Sequence, residues 1–342
     1  MWQDAFRSTM EARKLQKTGG STFTLSLPKG WVIASRLKAG DTVFIDEVSD
    51  GTLAIRPKPG APPGPRTKVI EASELGPRDH LLRALIGGYI AGYDVLEVRF
   101  KPDAGPSVRR VVREFTRMVL GPEILEEGRT SIIVQDLSHA SELSAEKTLR
   151  RMHLTVRAMH EDAMAAVRTR DPELTKDVEQ RDEDVDRLYW LVEKQYSLAH
   201  LSGPTTEADW RRSGIHDYRL VAKLLERVGD HAERIAVAAR SLKADLEPRL
   251  VRDLQAASRA SLDVLEEAFT ALMAGDVRRA NEAVDRAGSL EKAIDALMHR
   301  VAAHRGEELL ALGEVMDSIR RTGGYAADIA EIAINHVLAK EG

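Results

Sequence analysis

The sequence predicts a multidomain, mainly α protein: an N-terminal β-rich unit, a small α/β middle unit and a C-terminal bundle of two three-helix repeats. Three observations carry this. Pro57, Pro59, Pro62, Pro63 and Pro65 fall together with Gly60 and Gly64, a composition that excludes helix and central strand and marks a spacer between domains. From Glu142 onward the apolar residues recur at steps of three and four, and punctuation cuts this region into six helical segments. Finally, Glu226-Arg-Val-Gly-Asp230-His-Ala-Glu-Arg-Ile-Ala236 returns in eroded form as Arg320-Arg-Thr-Gly-Gly324-Tyr-Ala-Ala-Asp-Ile-Ala330. Five of the eleven positions match in register, which points to two related helical units.

A chain of 342 residues with 43% hydrophobic content is long and apolar enough for two or three cored domains. It contains no cysteine, so a disulfide framework and thiolate ligation of zinc or iron–sulfur clusters are excluded. Met1-Trp-Gln-Asp-Ala-Phe-Arg7 has neither the basic start nor the apolar core of a signal peptide, and no apolar run approaches the roughly 18 residues of a membrane span. The expectation is a soluble, cytoplasmic protein. The net charge of −4 is unevenly spread: residues 1–60 carry nine bases against six acids, leaving an acidic body behind a basic module.

The expected domains are 1–58, a linker at 59–66, an α/β domain at 67–138 and the bundle at 139–342, split into repeats 139–245 and 246–342. In the first domain Thr22-Phe-Thr-Leu-Ser-Leu27 alternates with period two and reads as a half-buried strand. Trp31–Leu37 allows two helical turns, and Val43–Ile45 with Leu53–Ile55 form hairpin arms around Asp50-Gly51, the type I′ turn signal. So short a β-α-β-β unit buries little core alone and leaves open edges, which dimerisation would cover.

Thr67–Glu71, Asp94–Phe100 and Ser131–Gln135 read as three strands, alternating with helices at Arg78–Ala91 and about Ser107–Leu120. Gly87-Gly88-Tyr-Ile-Ala-Gly92 reads as a helix stop and turn, since no phosphate-loop spacing is present. The six helices are expected at 142–169, 173–201, 206–245, 248–274, 276–304 and 307–340.

Asp182 and Asp186 are spaced i, i+4, as are Glu226 and Asp230, so each pair projects from one face of its helix. Adjacent antiparallel helices could join four carboxylates, a cluster that repels itself unless cations neutralise it. An oxygen-rich set suits hard or borderline cations such as Fe, Mn, Mg or Ca. Helical phase places Glu226 and Asp230 opposite their apolar stripe and Asp182 and Asp186 beside theirs, so a metal would sit on the outside of the bundle, open to solvent. The same spacing also describes a solvated face laced with Arg227 and Arg234. His216 and His231 lie near enough in sequence to count as further ligands. No cysteine nucleophile, G-x-S-x-G, phosphate loop or H-E-x-x-H appears, which predicts a non-enzyme.

Leu225–Ala236, preceded by Asp182-Glu-Asp-Val-Asp186-Arg-Leu188, resembles the PhoU family of phosphate-uptake regulators. The resemblance implies a PhoU-like bundle whose Glu/Asp-x-x-x-Asp motifs bind a multinuclear iron or zinc cluster, acting in control of phosphate transport. Carried over by position, the first repeat supplies Asp182, Asp186, Glu226 and Asp230. In the second, Glu291 and Asp295 match the first pair and mark a possible second metal site, but Arg320 and Gly324 replace the other pair.

The N-terminal stretch Arg13-Lys-Leu-Gln-Lys17-Thr-Gly-Gly-Ser-Thr-Phe-Thr-Leu-Ser-Leu-Pro-Lys29-Gly-Trp, followed by Leu37-Lys-Ala-Gly-Asp41-Thr-Val-Phe-Ile, resembles the AbrB-type swapped-hairpin DNA-binding domain. That resemblance implies a homodimer formed by interleaved hairpins and gripping double-stranded DNA through Arg13, Lys14, Lys17, Arg36 and Lys38, with Lys29 nearby. The order of domains looks like an archaeal-type PhoU-related regulator of transcription. The alternative is an adaptor that does not bind DNA and acts on a phosphate transporter ATPase or a signalling kinase. A metallohydrolase acting on phosphate esters is a third reading.

Overall fold

A computed structural model describes residues 12–20, 22–47, 53–57, 65–138, 144–202, 214–242 and 246–341. The chain divides into two compact units, residues 1–64 and 65–342.

In the first unit β1 (Gln16–Thr18) pairs antiparallel with β2 (Thr22–Thr24), α1 spans Lys29–Ala34, and β3 (Phe44–Glu47) pairs antiparallel with β4 (Leu53–Arg56). The order is thus β-β-α-β-β. The expected strand to Leu27 is shorter, because its pairing partner Gln16–Thr18 is only three residues long. The Asp50-Gly51 turn and most of the proline-rich linker lie outside the described residues. None of the residues between 12 and 57 whose burial is described is buried, and Leu15, Phe23, Ile33, Ile45 and Leu53 are each about 60% exposed.

The second unit begins with a four-stranded sheet in the order β5-β6-β8-β7, from Thr67–Glu71, Val95–Arg99, Ser131–Asp136 and Pro122–Glu127. β5 runs parallel to β6, and the other pairs are antiparallel. The sequence suggests three strands; β7 is the fourth. Helices α2 (Arg78–Ile90) and α3 (Gly105–Met118) cover the sheet with Leu81, Leu85 and Tyr89 from one and Val108, Val111, Val112 and Phe115 from the other. Gly87 and Gly88 belong to α2 rather than to a turn. The stop comes at Gly92, with φ of +72°, while Gly88 lets the helix close on Leu96, whose Cδ2 lies 2.7 Å from where a Cβ would stand.

The bundle comprises α4 (Ala145–Thr169), α5 (Pro172–Ser202), α6 (Ile215–Ala239), α7 (Pro248–Ala274), α8 (Val277–Val301) and α9 (Glu307–Glu341). Local chemistry sets the ends: Ser144 Oγ accepts from the Lys147 N–H, Asp276 accepts from the Arg279 N–H, and Gly275 ends α7 in the left-handed region. Helices α4–α6 pack mutually, as do α7–α9, and the two triplets join through α6 against α9. Their apolar faces form one continuous core, from Leu149 and Val156 through Leu225 and Ile235 to Leu265, Ile319 and Ile329.

The α/β part docks on α5. Trp190 packs against the sheet-and-helix core, and Lys194 forms a buried ion pair with Asp136 at the end of β8. Among the described residues, no helix is long and apolar enough to cross a membrane.

Candidate metal centre

Helices α5 and α6 pack side by side, which brings Asp186 of one to Glu226 and Asp230 of the other, each with a carboxylate oxygen within 4.8 Å of the other two. Asp182 stands one turn earlier on α5. Its Oδ1 lies 3.0 Å from where a Cβ on Gly229 would be, so the glycine between Glu226 and Asp230 is what lets α6 approach that carboxylate. Glu233, two turns beyond Glu226, adds its charge to the group.

Burial and mutual repulsion act together here. Burial first, then Asp186, Glu233, Asp230 and Glu226, push Asp182 up to about 8. Asp186 rises to about 6 through burial and then Glu226 and Asp230, against the pull of Lys223. Glu226 is raised by burial although Lys223 Nζ donates to its Oε1 at 2.7 Å. Glu233 is raised by burial, then by Glu179 and Asp230. Lys223 satisfies only one oxygen; Glu226 Oε2 is buried and has no hydrogen-bond partner. A buried acceptor without a donor costs about 1–3 kcal/mol, and a cation there would satisfy it.

The three carboxylates are half-buried rather than open to solvent, and the Glu226 side chain is only 12% exposed, because α5 closes over the face that α6 turns away from its own core. Arg227 and Arg234 form no ion pair with these acids: Arg227 lies over the Tyr325 ring and Arg234 faces Glu314, so that their charges act on Glu226 and Glu233 only from a distance. His231 points inward, buried, with Nδ1 3.1 Å from Ser318 Oγ, and His216 stacks at a tilt near Tyr196. The donor set is therefore all oxygen, which suits iron, manganese or magnesium and lacks the imidazole or thiolate that zinc commonly takes.

The second repeat is built otherwise. Glu291 and Asp295 are exposed, and Arg320 Nη2 donates to Asp295 Oδ1 at 2.6 Å. Among the described residues Asp186, Glu226 and Asp230 are the metal-compatible cluster, and Glu291 and Asp295 belong to none. In the first unit Arg13, Lys14, Lys17, Arg36 and Lys38 are all exposed. Lys17 sits opposite Phe23 in the β1–β2 ladder, Arg36 follows α1 with φ of 55°, and the Lys38 N–H donates to Asp41 Oδ2 at 2.7 Å.

Sequence reasoning missed Glu233, although its i+7 spacing from Glu226 places it on the same stripe. It also missed Lys223, and the arginines of α3 that line a cleft ending at Asp186.

Residues 149–239 match the family model of the PhoU domain, and residues 16–63 match that of the antidote-toxin recognition MazE, a bacterial antitoxin. Two solved structures are similar. PhoU from Pseudomonas aeruginosa is 20% identical with a TM-score of 0.52, the match covering 57% of this chain and 95% of that one. The phosphate transport system regulatory protein PhoU from Streptococcus pneumoniae is 19% identical with a TM-score of 0.52, covering 58% of this chain and 94% of that one. No curated protein matches the chain. The helical bundle thus has the fold of the PhoU structures, and the N-terminal unit is similar in sequence to the MazE antitoxin model.

Proposed function

We propose that this chain, with a PhoU domain behind a MazE-like N-terminal domain, is a dimeric, DNA-binding regulator of phosphate uptake and not an enzyme. Its bundle senses state through a cation held by Asp186, Glu226 and Asp230, with Asp182 beside them. One observation supports the cation above the others: three half-buried carboxylates converge from two helices while Glu226 Oε2 has no partner. The residues fit an oxygen-liganded metal, iron first, which would supply the positive charge that Lys223 alone does not.

For the N-terminal domain the support is its fold kinship, its basic surface and its uncovered apolar side chains. Phe23, Ile33, Ile45 and Leu53 have no core of their own, which a second copy would bury. Arg13, Lys14, Lys17, Arg36 and Lys38 then contact phosphates of double-stranded DNA, which positions the protein without reading sequence.

The experiment is a salt titration of binding to the DNA upstream of the chain's own reading frame. Binding that weakens steeply with salt, and is lost when Arg13→Ala and Lys17→Ala are combined, is the expected result. No complex at low salt would sink the DNA claim. It would leave the second reading, an adaptor acting on a transporter ATPase or a kinase, which the similarity to a phosphate transport system regulatory protein from Streptococcus pneumoniae favours.

A further inference from the structure

Helix α3 has two opposed faces. Val108, Val111, Val112 and Phe115 are buried against the sheet, while Arg110, Arg113 and Arg117, at steps of three and four, form an exposed stripe on the other side. That stripe faces α5 across a cleft of about 740 Å³, whose far wall carries Glu183 and Asp186. Asp186 therefore belongs both to the cleft and to the carboxylate cluster.

The two walls are held in place by contacts outside the cleft. Trp190 and the Lys194–Asp136 pair anchor α5 to the α/β part, so the spacing between the arginines and the acids is a property of the fold. Arg113 is steadied by Glu127, with Nη2 3.0 Å from Oε2. Arg110 and Arg117 have no acidic partner among the described residues, although two carboxylates line the opposite wall. Guanidinium forks held apart from carboxylates leave room for something that meets both.

We infer that this cleft binds a phosphate group, inorganic or carried on a small monoester, clamped between Arg110, Arg113 and Arg117 and the cation on the Asp186, Glu226 and Asp230 cluster. The inference rests on the metal reading above. A guanidinium presents its donors in a planar fork that matches phosphate oxygens. Glu114 also lines the cleft, on the arginine side, where Arg78 pairs with it; an anion entering alone would be repelled by Glu183 and Asp186, and a cation on the cluster reverses the sign of that wall. A tetrahedral dianion has oxygens enough to reach both walls, and the volume lies within the usual range for small-ligand sites. The site needs the α/β part and the bundle together, which gives residues 67–138 a purpose.

The test is equilibrium dialysis of full-length protein against labelled inorganic phosphate and, separately, adenosine monophosphate, with and without Mn²⁺, metal content being measured on the same samples. Expected is binding of at least one anion to the Mn²⁺-loaded protein, weakened about tenfold or more by chelation and by Arg110→Ala with Arg117→Ala, while that variant keeps its metal. The tighter anion identifies the source of the phosphate group. Both substituted arginines are exposed, so the fold should survive; circular dichroism confirms it. Metal-loaded wild type that binds neither anion overturns the inference, as does anion binding indifferent to the arginines. Loss of DNA binding in the variant with anion binding intact would assign the stripe to nucleic acid and overturn it too. Wild type that takes up no Mn²⁺ overturns instead the metal reading beneath it.

Discussion

At matching places of the two repeats, Glu226 and Asp230 of α6 stand beside Asp186, whereas Arg320 of α9 donates to Asp295 and Gly324 offers no side chain. The rest of the motif is shared. Leu225 and Ile235 in one repeat, Ile319 and Ile329 in the other, are fully buried. Each also has its packing glycine, Gly229 set against Asp182 and Gly323 against Leu290. The difference separates the two duties of the motif. Its apolar and glycine positions build the bundle, and both repeats keep them. Its carboxylates do not build anything, since the second repeat packs without them and supplies an arginine as its internal cation. In the first repeat Lys223 is the base paired with the cluster, and on the proposed reading the remaining charge is met by a cation from outside.

Three predictions press on this contrast. The packing positions should be equivalent, so Leu225→Ala and Ile319→Ala should each cost about 2–5 kcal/mol. Because both lie in one continuous core, denaturant melts should keep a single transition; two separated transitions would show independent repeats. Next, Arg320→Glu with Gly324→Asp should convert the second repeat, raising the metal content per chain above that of wild type. Nothing lies within 4 Å of a Cβ at Gly324, so the new side chain has room; unchanged metal content would mean that the carboxylates alone do not make the site.

The smallest effect concerns acid. Buried polar side chains of the first repeat include His153 and His160, both pushed down to about 4 by burial, Glu266 partly opposing this at His153 and His231 adding to it at His160. Those of the second repeat are hydroxyls, Ser258, Ser261, Ser318 and Thr322, apart from His336, which pairs with Asp217. At these two histidines, between pH 6.5 and about 4, the unfolded chain takes up protons that the folded chain refuses, so their contribution to stability is fully present above 6.5 and is lost as pH is lowered through this window, while the raised carboxylates Asp182 and Asp186 contribute with the opposite sign. His160→Leu should flatten part of that slope in thermal melts, and an unchanged slope would refute the assignment.

The bundle was legible where punctuation is chemical. Pro248 and Gly275 bound α7 as the sequence predicts, 248–274. Strand β7 was not legible, because a bulge between Ile124 and Glu126 breaks the alternation by which strands are recognised. At the carboxylate cluster, i, i+4 spacing identified which carboxylates share a face, and the partnership of α5 with α6 followed from antiparallel packing. Burial did not follow, since helical phase describes a residue against its own helix and says nothing of the neighbour that closes over it. The Arg110 to Arg117 stripe was illegible for the same reason: only tertiary structure sets it against Asp186.

Elemental analysis of purified full-length protein tests the central contrast most directly, comparing wild type with Glu226→Ala/Asp230→Ala and with Glu291→Ala/Asp295→Ala. The account predicts that metal is lost from the first variant and retained at the wild-type level in the second. Equal metal content in wild type and the Glu226→Ala/Asp230→Ala protein would contradict it.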